Sequence, residues 1–266
     1  DRFDRARNAA VAEARTRWVD FSVHVWLTPF NRFEFGPWRH ERNKGKSRQY
    51  TSDMDIFAEV IENGETSGVI GYRKELWTDQ SGSERRLVCK LFSETLNWRA
   101  SLDMLIGRSL QQTFGARGIP VTSYAINTAD DDFQVLLERS ANKWPLLPEN
   151  YAFFVMDGNS PRFYRLRRDL IDIGGDYKLI AENGERVGFI DGAFFTIGGR
   201  WRCAVRADHA DPRILTVMKL FAALVSFNGE ARRHIKRLAR DVRSGRIEPV
   251  IKRQEADLYM NPRRIR

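Results

Sequence analysis

The most constraining feature of the sequence is an apolar run, ILTVMKLFAALVSF at 214–227, in which Lys219 is the one charged residue. Asp211-Pro212, shortly before the run, is a helix start signal because Pro fits the first helical turn. A helix that is apolar on every face must be enclosed by protein or by lipid. At a rise of about 1.5 Å per residue the run is about 21 Å long, which is short of a hydrocarbon core of about 30 Å. We therefore expect a helix enclosed by the strands of this chain and no transmembrane span; insertion into one membrane leaflet is the alternative.

Much of the remaining sequence carries the pattern of short strands. WVDFSVHVWL at 18–27 alternates apolar and polar residues, and similar patterns recur from 55 to 92 and from 151 to 208. Short strands at regular spacing favour a β-barrel or a sandwich over alternating βαβ units.

Turn and helix signals separate these strands. Asn63-Gly64 and Asn183-Gly184 predict two-residue type I′ hairpin turns, because both central positions of that turn need a positive φ. A helical period over 96–114 predicts a helix there, and Gly115 and Gly118 follow where it would stop.

Two segments of the chain resemble each other. ENGETSGVI at 62–70 and ENGERVGFI at 182–190 match at Glu, Asn, Gly, Glu, Gly and Ile. Convergent hairpin chemistry is one explanation, but the order of hairpin, strand and helix around each segment favours a duplication. The predicted organisation is a surface helix over 1–16, a barrel over 17–228 with related halves at 17–145 and 150–228, and a basic segment over 229–266.

A further pattern of turns and strands runs through 165–208. Its positions are Ile173-Gly174-Gly175-Asp176, Glu182-Asn183-Gly184, Ile190-Asp191-Gly192 and Ala193-Phe194-Phe195. This pattern resembles the LURP-one-related proteins of the tubby C-terminal-like superfamily, which includes the phospholipid scramblases. The resemblance implies a closed barrel around a central apolar helix, and closure removes exposed strand edges.

We therefore predict a mainly β fold with helices (α+β). It is a closed antiparallel barrel of about 10–12 strands around a central apolar helix, with an N-terminal helix and a basic C-terminal helix and tail.

Positive charge is concentrated at the C-terminal end. The last 38 residues hold 12 basic and 5 acidic residues, so they carry +7 of the formal net charge of +9. After Asn228-Gly229, an apolar stripe through Ile235, Leu238 and Val242 predicts a separate basic amphipathic helix. The candidate partner-binding residues of this segment are Arg232, Arg233, Lys236, Arg237, Arg240, Arg243, Lys252 and Arg253.

A second basic region is the loop at 38–50, which has Trp38 and Tyr50 at its edges. Arginine and lysine can hold phosphates while aromatic rings stack on bases; a solvated hairpin tip is the alternative. The candidate residues of the loop are Arg39, Arg42, Lys44, Lys46 and Arg48.

This charge distribution predicts an acidic partner. The first hypothesis is a non-enzymatic binding or scaffold protein, cytoplasmic or peripheral at a membrane. Its basic segment docks on an anionic phospholipid membrane or on an acidic protein surface. The alternative is nucleic-acid binding through the 38–50 loop and the tail. A solvated helix face with a disordered end is the explanation that needs no partner.

The sequence offers little for catalysis. It has none of the phosphate-binding, dinucleotide-binding, serine-hydrolase or zinc-protease motifs, so we predict no enzyme activity, cofactor or metal. Asp130–Asp132 and the group Asp208, His209 and Asp211 leave a hydrolase as the second alternative. Cys89 and Cys203 are the only cysteines, and we expect free buried thiols.

Overall fold

The computed structural model describes residues 16–26, 47–129, 134–142, 147–169, 176–192, 199–252 and 255–256. The N-terminal helix predicted over 1–16 lies outside the described residues except for Thr16. The helices are α1 Ile106–Gly115 and α2 Pro212–Arg243, with a π-helical turn Glu75–Asp79 and 3-10 turns Gly82–Glu84 and Ala207–His209. The strands are β1 Trp18–Val25, β2 Met54–Glu62, β3 Glu65–Arg73, β4 Val88–Ser93, β5 Trp98–Met104, β6 Ser123–Thr128, β7 Val135–Arg139, β8 Asn150–Asp157, β9 Ser160–Arg168, β10 Tyr177–Ala181, β11 Arg186–Gly192 and β12 Gly199–Arg206.

These strands form one closed antiparallel barrel. Each strand pairs with its neighbours in the sequence, and β1 pairs with β12 to close the ring. The closing pair runs from Trp18 opposite Arg206 to Val25 opposite Gly199. The predicted closed antiparallel barrel is confirmed.

The apolar run lies inside the barrel, as predicted. Phe221, near its centre, has no solvent exposure. Its ring meets those of Tyr151 and Tyr177 edge-on, each at 4.9 Å between centroids. Lys219, the one charge of the run, is partly exposed and places its Nζ 2.8 Å from the Glu62 carboxylate.

The predicted break after Asn228-Gly229 is wrong. α2 continues through both residues, so the apolar helix and the basic amphipathic helix are one helix of 32 residues. A glycine inside a helix costs about 1 kcal/mol relative to alanine. Burial on both sides of the glycine offsets this cost, because the N-terminal half fills the barrel and Ile235 and Leu238 join the same core.

Among the described helices, α2 is the one whose length and apolar composition would allow it to cross a bilayer. However, 61% of its most apolar window is buried within the protein. That burial is typical of a core helix.

The helix predicted over 96–114 begins later than expected. Residues 98–104 form β5, and only Ile106–Gly115 is helical. Ala100, Leu102 and Met104 are buried and share one face of β5, which pairs with β4 and β6 on either side. Hydrogen bonding to two neighbouring strands thus overrides the helix preference that the spacing of the leucines indicates.

The two predicted hairpin turns differ. Asn63 and Gly64 have φ of 53° and 82°, as a type I′ turn requires. At the second turn Gly184 alone has a positive φ, of 84°, and the Asn183 side chain accepts a hydrogen bond from the Glu185 backbone N–H at 3.0 Å. The prediction of identical turns is therefore wrong.

Candidate functional site

The C-terminal half of α2 has a buried face and a cationic face. Ala231, Ile235 and Leu238 recur at helical spacing and are buried. Between them, Arg233, Lys236 and Arg237 point to solvent, whereas His234 is buried. The cationic face consists of the exposed side chains of Arg233, Lys236, Arg237, Arg240 and Arg243.

The cationic face borders an open groove of about 720 Å³. The groove is lined by the five cations together with Ala239, Gly118 and Ser244. Gly118 lies in the turn after α1, and Ser244 ends α2. Gly118 has a φ of 88°, and the Arg243 guanidinium lies 5.3 Å from the centre of the Phe114 ring. The end of α1 thus supports one side of the groove.

The positive charge of this face is largely uncompensated. Arg233, Lys236 and Arg237 have no acidic partner within 4 Å among the described residues. Arg240 lies 3.8 Å from the Asp241 carboxylate, but the same carboxylate oxygen is 2.8 Å from the Arg246 guanidinium. Side chains three and four residues apart on a helix are about 5–6 Å apart at Cβ, so the face holds a dense cationic strip.

Two predicted residues of the basic segment lie elsewhere. The Arg232 side chain is partly buried and turns towards the barrel, 3.6 Å from the Glu149 carboxylate. Lys252 pairs with Glu84. The helical phase explains the first difference, because Arg232 and Arg233 are about 100° apart around the helix axis.

One candidate residue of the 38–50 loop, Arg48, lies among the described residues. Arg48 is exposed in a turn next to Gln49. Arg39, Arg42, Lys44, Lys46 and Arg253 lie outside the described residues.

The described part of the tail lies against the body. Glu255, 4% exposed, accepts hydrogen bonds from the backbone N–H groups of Gly107 (3.0 Å) and Arg108 (2.8 Å) at the start of α1. Leu105, the N-cap residue of α1, provides no side-chain cap, so Glu255 satisfies donors that the helix leaves open. A Cβ on Gly107 would lie 3.0 Å from Ile251, so the glycine allows this close approach. Sequence reasoning missed this contact, because nothing local links residues 107 and 255.

Docking of the tail leaves two aliphatic side chains in solvent. Val250 is 52% exposed and Ile251 is 51% exposed. Ile251 lies beside Gly107 at the start of α1, whereas Arg243 packs on Phe114 at its end. α1 has ten residues, so the two sites are separated by about 15 Å along that helix.

The groups considered for catalysis have structural partners. The Asp208 carboxylate pairs with Arg206 at 2.6 Å, and the Tyr164 hydroxyl lies 2.9 Å from His209 Nδ1. Asp211 accepts from the backbone N–H of Arg213 at 2.8 Å and so caps α2. Asp130–Asp132 lie outside the described residues.

Burial lowers the pKa of His209 and, with Arg162 and Arg206 nearby, outweighs the raising effect of Asp208. Among the described residues, no group of three or more His, Cys, Asp and Glu side chains could hold a metal ion. Cys89 and Cys203 are free, buried thiols, as predicted, and burial raises the pKa of both.

Comparisons of the chain with protein-family models, with curated proteins and with solved structures find no match. The resemblance to the LURP-one-related proteins stays a prediction.

His234 lies beneath the cationic face and makes stability sensitive to pH. Its Nε2 donates to the Arg85 carbonyl at 3.0 Å, and burial, with the nearby Arg85 and Arg237 cations, lowers its pKa to about 4. Because its unfolded pKa is about 6.5, the unfolded chain binds a proton that the folded protein excludes. We expect the free energy of unfolding to fall as the pH drops from 6.5 to 4, with a loss of up to about 3 kcal/mol from this group.

Urea unfolding of the wild type and of His234→Gln at several pH values measures this effect. The glutamine keeps a hydrogen-bond donor but does not titrate, so the two curves should converge towards low pH. Parallel curves would show that His234 does not cause the loss.

Proposed function

We propose that this protein is a non-enzymatic docking module whose barrel presents the cationic face of α2 to an anionic phospholipid membrane. The observation that carries the proposal is the set of five exposed cations on one helix face, three of them without an acidic partner among the described residues. A fixed helix holds these charges together, so binding does not have to order them.

The exposed aliphatic pair favours a membrane over a purely polar partner. Ile251 lies at the start of α1, next to the equally exposed Val250 in the chain, and Arg243 packs at the other end of α1. Peripheral membrane proteins typically combine cations that meet headgroups with aliphatic side chains that enter the acyl boundary. Each basic residue near an anionic surface contributes about 1 kcal/mol, so five predict reversible binding. The protein would then be cytoplasmic and peripheral at the membrane.

Co-sedimentation with phosphatidylserine/phosphatidylcholine vesicles at 150 mM salt tests the proposal. We expect the triple variant Arg233→Gln/Arg237→Gln/Arg240→Gln to bind about 100-fold more weakly, since it removes about 3 kcal/mol of attraction. Phosphatidylcholine vesicles should bind neither protein.

A matched control distinguishes position from net charge. Arg165→Gln/Arg167→Gln/Arg186→Gln removes three exposed arginines from the barrel wall, which have no acidic partner among the described residues, and should leave vesicle binding within about threefold. An equal loss in both triple variants would contradict a docking face on α2. Loss of oligonucleotide binding with unchanged vesicle binding would assign the face to nucleic acid instead.

A further inference from the structure

The outer wall of the barrel carries exposed aromatic rings on neighbouring strands. Phe154 on β8 lies directly opposite Phe163 on β9, and their ring centroids are 5.6 Å apart. Their exposed fractions are 45% and 47%. They belong to no buried cluster, and solvent reaches nearly half of each side chain.

Three exposed arginines follow these rings across the wall. Arg165 and Arg167 alternate with buried residues along β9 and so point outward with Phe163. Arg186, on β11, is opposite Ile180, which in turn is opposite Arg165. None of the three arginines has an acidic partner within 4 Å among the described residues.

A second aromatic group lies beyond the arginines. The Arg186 guanidinium is 5.2 Å from the centre of the Phe189 ring, and the Trp18 ring is 6.2 Å from the same ring. Phe189 is opposite Lys178, which is opposite Arg167. From Phe163 to Phe189 the surface crosses two strand spacings and four residues, or roughly 16 Å.

We infer that this outer face of β8–β11 binds a single-stranded nucleic acid. Aromatic rings on a β-sheet stack on unpaired bases, and arginines beside them bind the phosphates. Alternation along β9 places both chemistries on one face, and a flexible strand can follow the convex wall of a barrel. A duplex has no unpaired bases to offer the rings, and a flat bilayer meets only the crest of a convex wall.

The aromatic pair of this site is separate from the cationic face of α2. The β8–β9 turn lies at the end of the barrel where α2 begins, because the Arg162 guanidinium donates to the Asp208 carbonyl at 3.3 Å. The cationic face lies on the opposite half of the 32-residue helix. The inference therefore does not depend on membrane docking.

Fluorescence anisotropy with a labelled oligo-U 12-mer at several salt concentrations tests the inference. Three phosphate contacts predict a slope of about −2 in a plot of log K against log salt. Arg165→Gln/Arg167→Gln/Arg186→Gln should reduce this slope to near zero. Phe154→Ala/Phe163→Ala should weaken binding at least about fivefold with the slope unchanged, because stacking is not electrostatic.

Two controls make the result decisive. Phe154→Leu/Phe163→Leu keeps apolar bulk without a ring face and should bind as weakly as the alanine variant. Arg233→Gln/Arg237→Gln/Arg240→Gln should bind the oligonucleotide like the wild type, although it loses vesicles. Circular dichroism confirms that each variant is folded.

Unchanged oligonucleotide binding by the alanine variant would overturn the inference, and so would equal affinity of the wild type for duplex RNA. It would also be overturned if the variants of the outer face lost vesicle binding and kept oligonucleotide binding. Failure of membrane docking alone leaves the anisotropy result intact, so the two proposals fail separately.

Discussion

Phe221→Ala is expected to lower the free energy of unfolding by about 3–5 kcal/mol. Phe221 lies at the centre of the enclosed part of α2, with no solvent exposure and with Tyr151 and Tyr177 against its ring. The closed barrel cannot easily collapse into the cavity that the Phe221 side chain leaves. The lost burial and the cavity therefore both contribute to the loss of stability. Two edge-on aromatic contacts add to the loss.

Urea unfolding followed by circular dichroism measures this change. Phe154→Ala, which removes the same side chain from the outer wall, should cost less than about 1 kcal/mol, because surface substitutions have small effects. A loss at Phe221 as small as that at Phe154 would mean that the barrel does not enclose α2.

Glu149→Gln is expected to cost about 3–5 kcal/mol, because it breaks a buried ion pair. Glu149 and Arg139 are 4% and 3% exposed, and their charged groups are 2.7 Å apart. Glu149 also accepts a hydrogen bond from the Tyr177 hydroxyl at 2.9 Å and lies 3.6 Å from Arg232 on α2. The glutamine would leave the buried Arg139 guanidinium without its carboxylate, whereas Arg232 is 32% exposed and still reaches solvent.

The control for this variant is an exposed pair of the same kind. Asp157 lies 3.5 Å from Arg162 and is 64% exposed, so Asp157→Asn should cost less than about 1 kcal/mol. Arg139→Met/Glu149→Leu should recover much of the stability lost in Glu149→Gln, because it removes both charges together. Equal losses for Glu149→Gln and Asp157→Asn would contradict the buried network.

The architecture could be predicted because one segment demanded it. A helix that is apolar all round needs an enclosure, and the only enclosure that the sequence offered was a set of short strands. The continuity of α2 could not be predicted from local signals, because the Asn228-Gly229 pair favours a helix end. Only the packing on both sides of the pair overrides that preference.

The candidate site was predicted in part. The charge count located the cationic segment, but sorting Arg232 inward and Arg233 outward required the phase of a helix that continues from the barrel interior. The contact of Glu255 with α1 joins residues almost 150 positions apart. No local pattern marks such a pair. The sequence pattern predicts strands around Phe154 and Phe163, but their outward orientation depends on the strand register.

A fluorophore at position 244 tests most directly whether the cationic face of α2 meets an anionic membrane. Ser244 is exposed and lines the groove. Cys89 and Cys203 are buried, so a cysteine at Ser244 (Ser244→Cys) can be labelled selectively in the native protein. The control position is Asn183, exposed in the β10–β11 turn, where the neighbouring Glu185 contacts Arg206 just before α2 begins.

We predict a blue shift of an environment-sensitive label at position 244 on phosphatidylserine-containing vesicles, none on phosphatidylcholine vesicles, and none at position 183 (Asn183→Cys) on either. A shift at 183 with none at 244 would contradict the account.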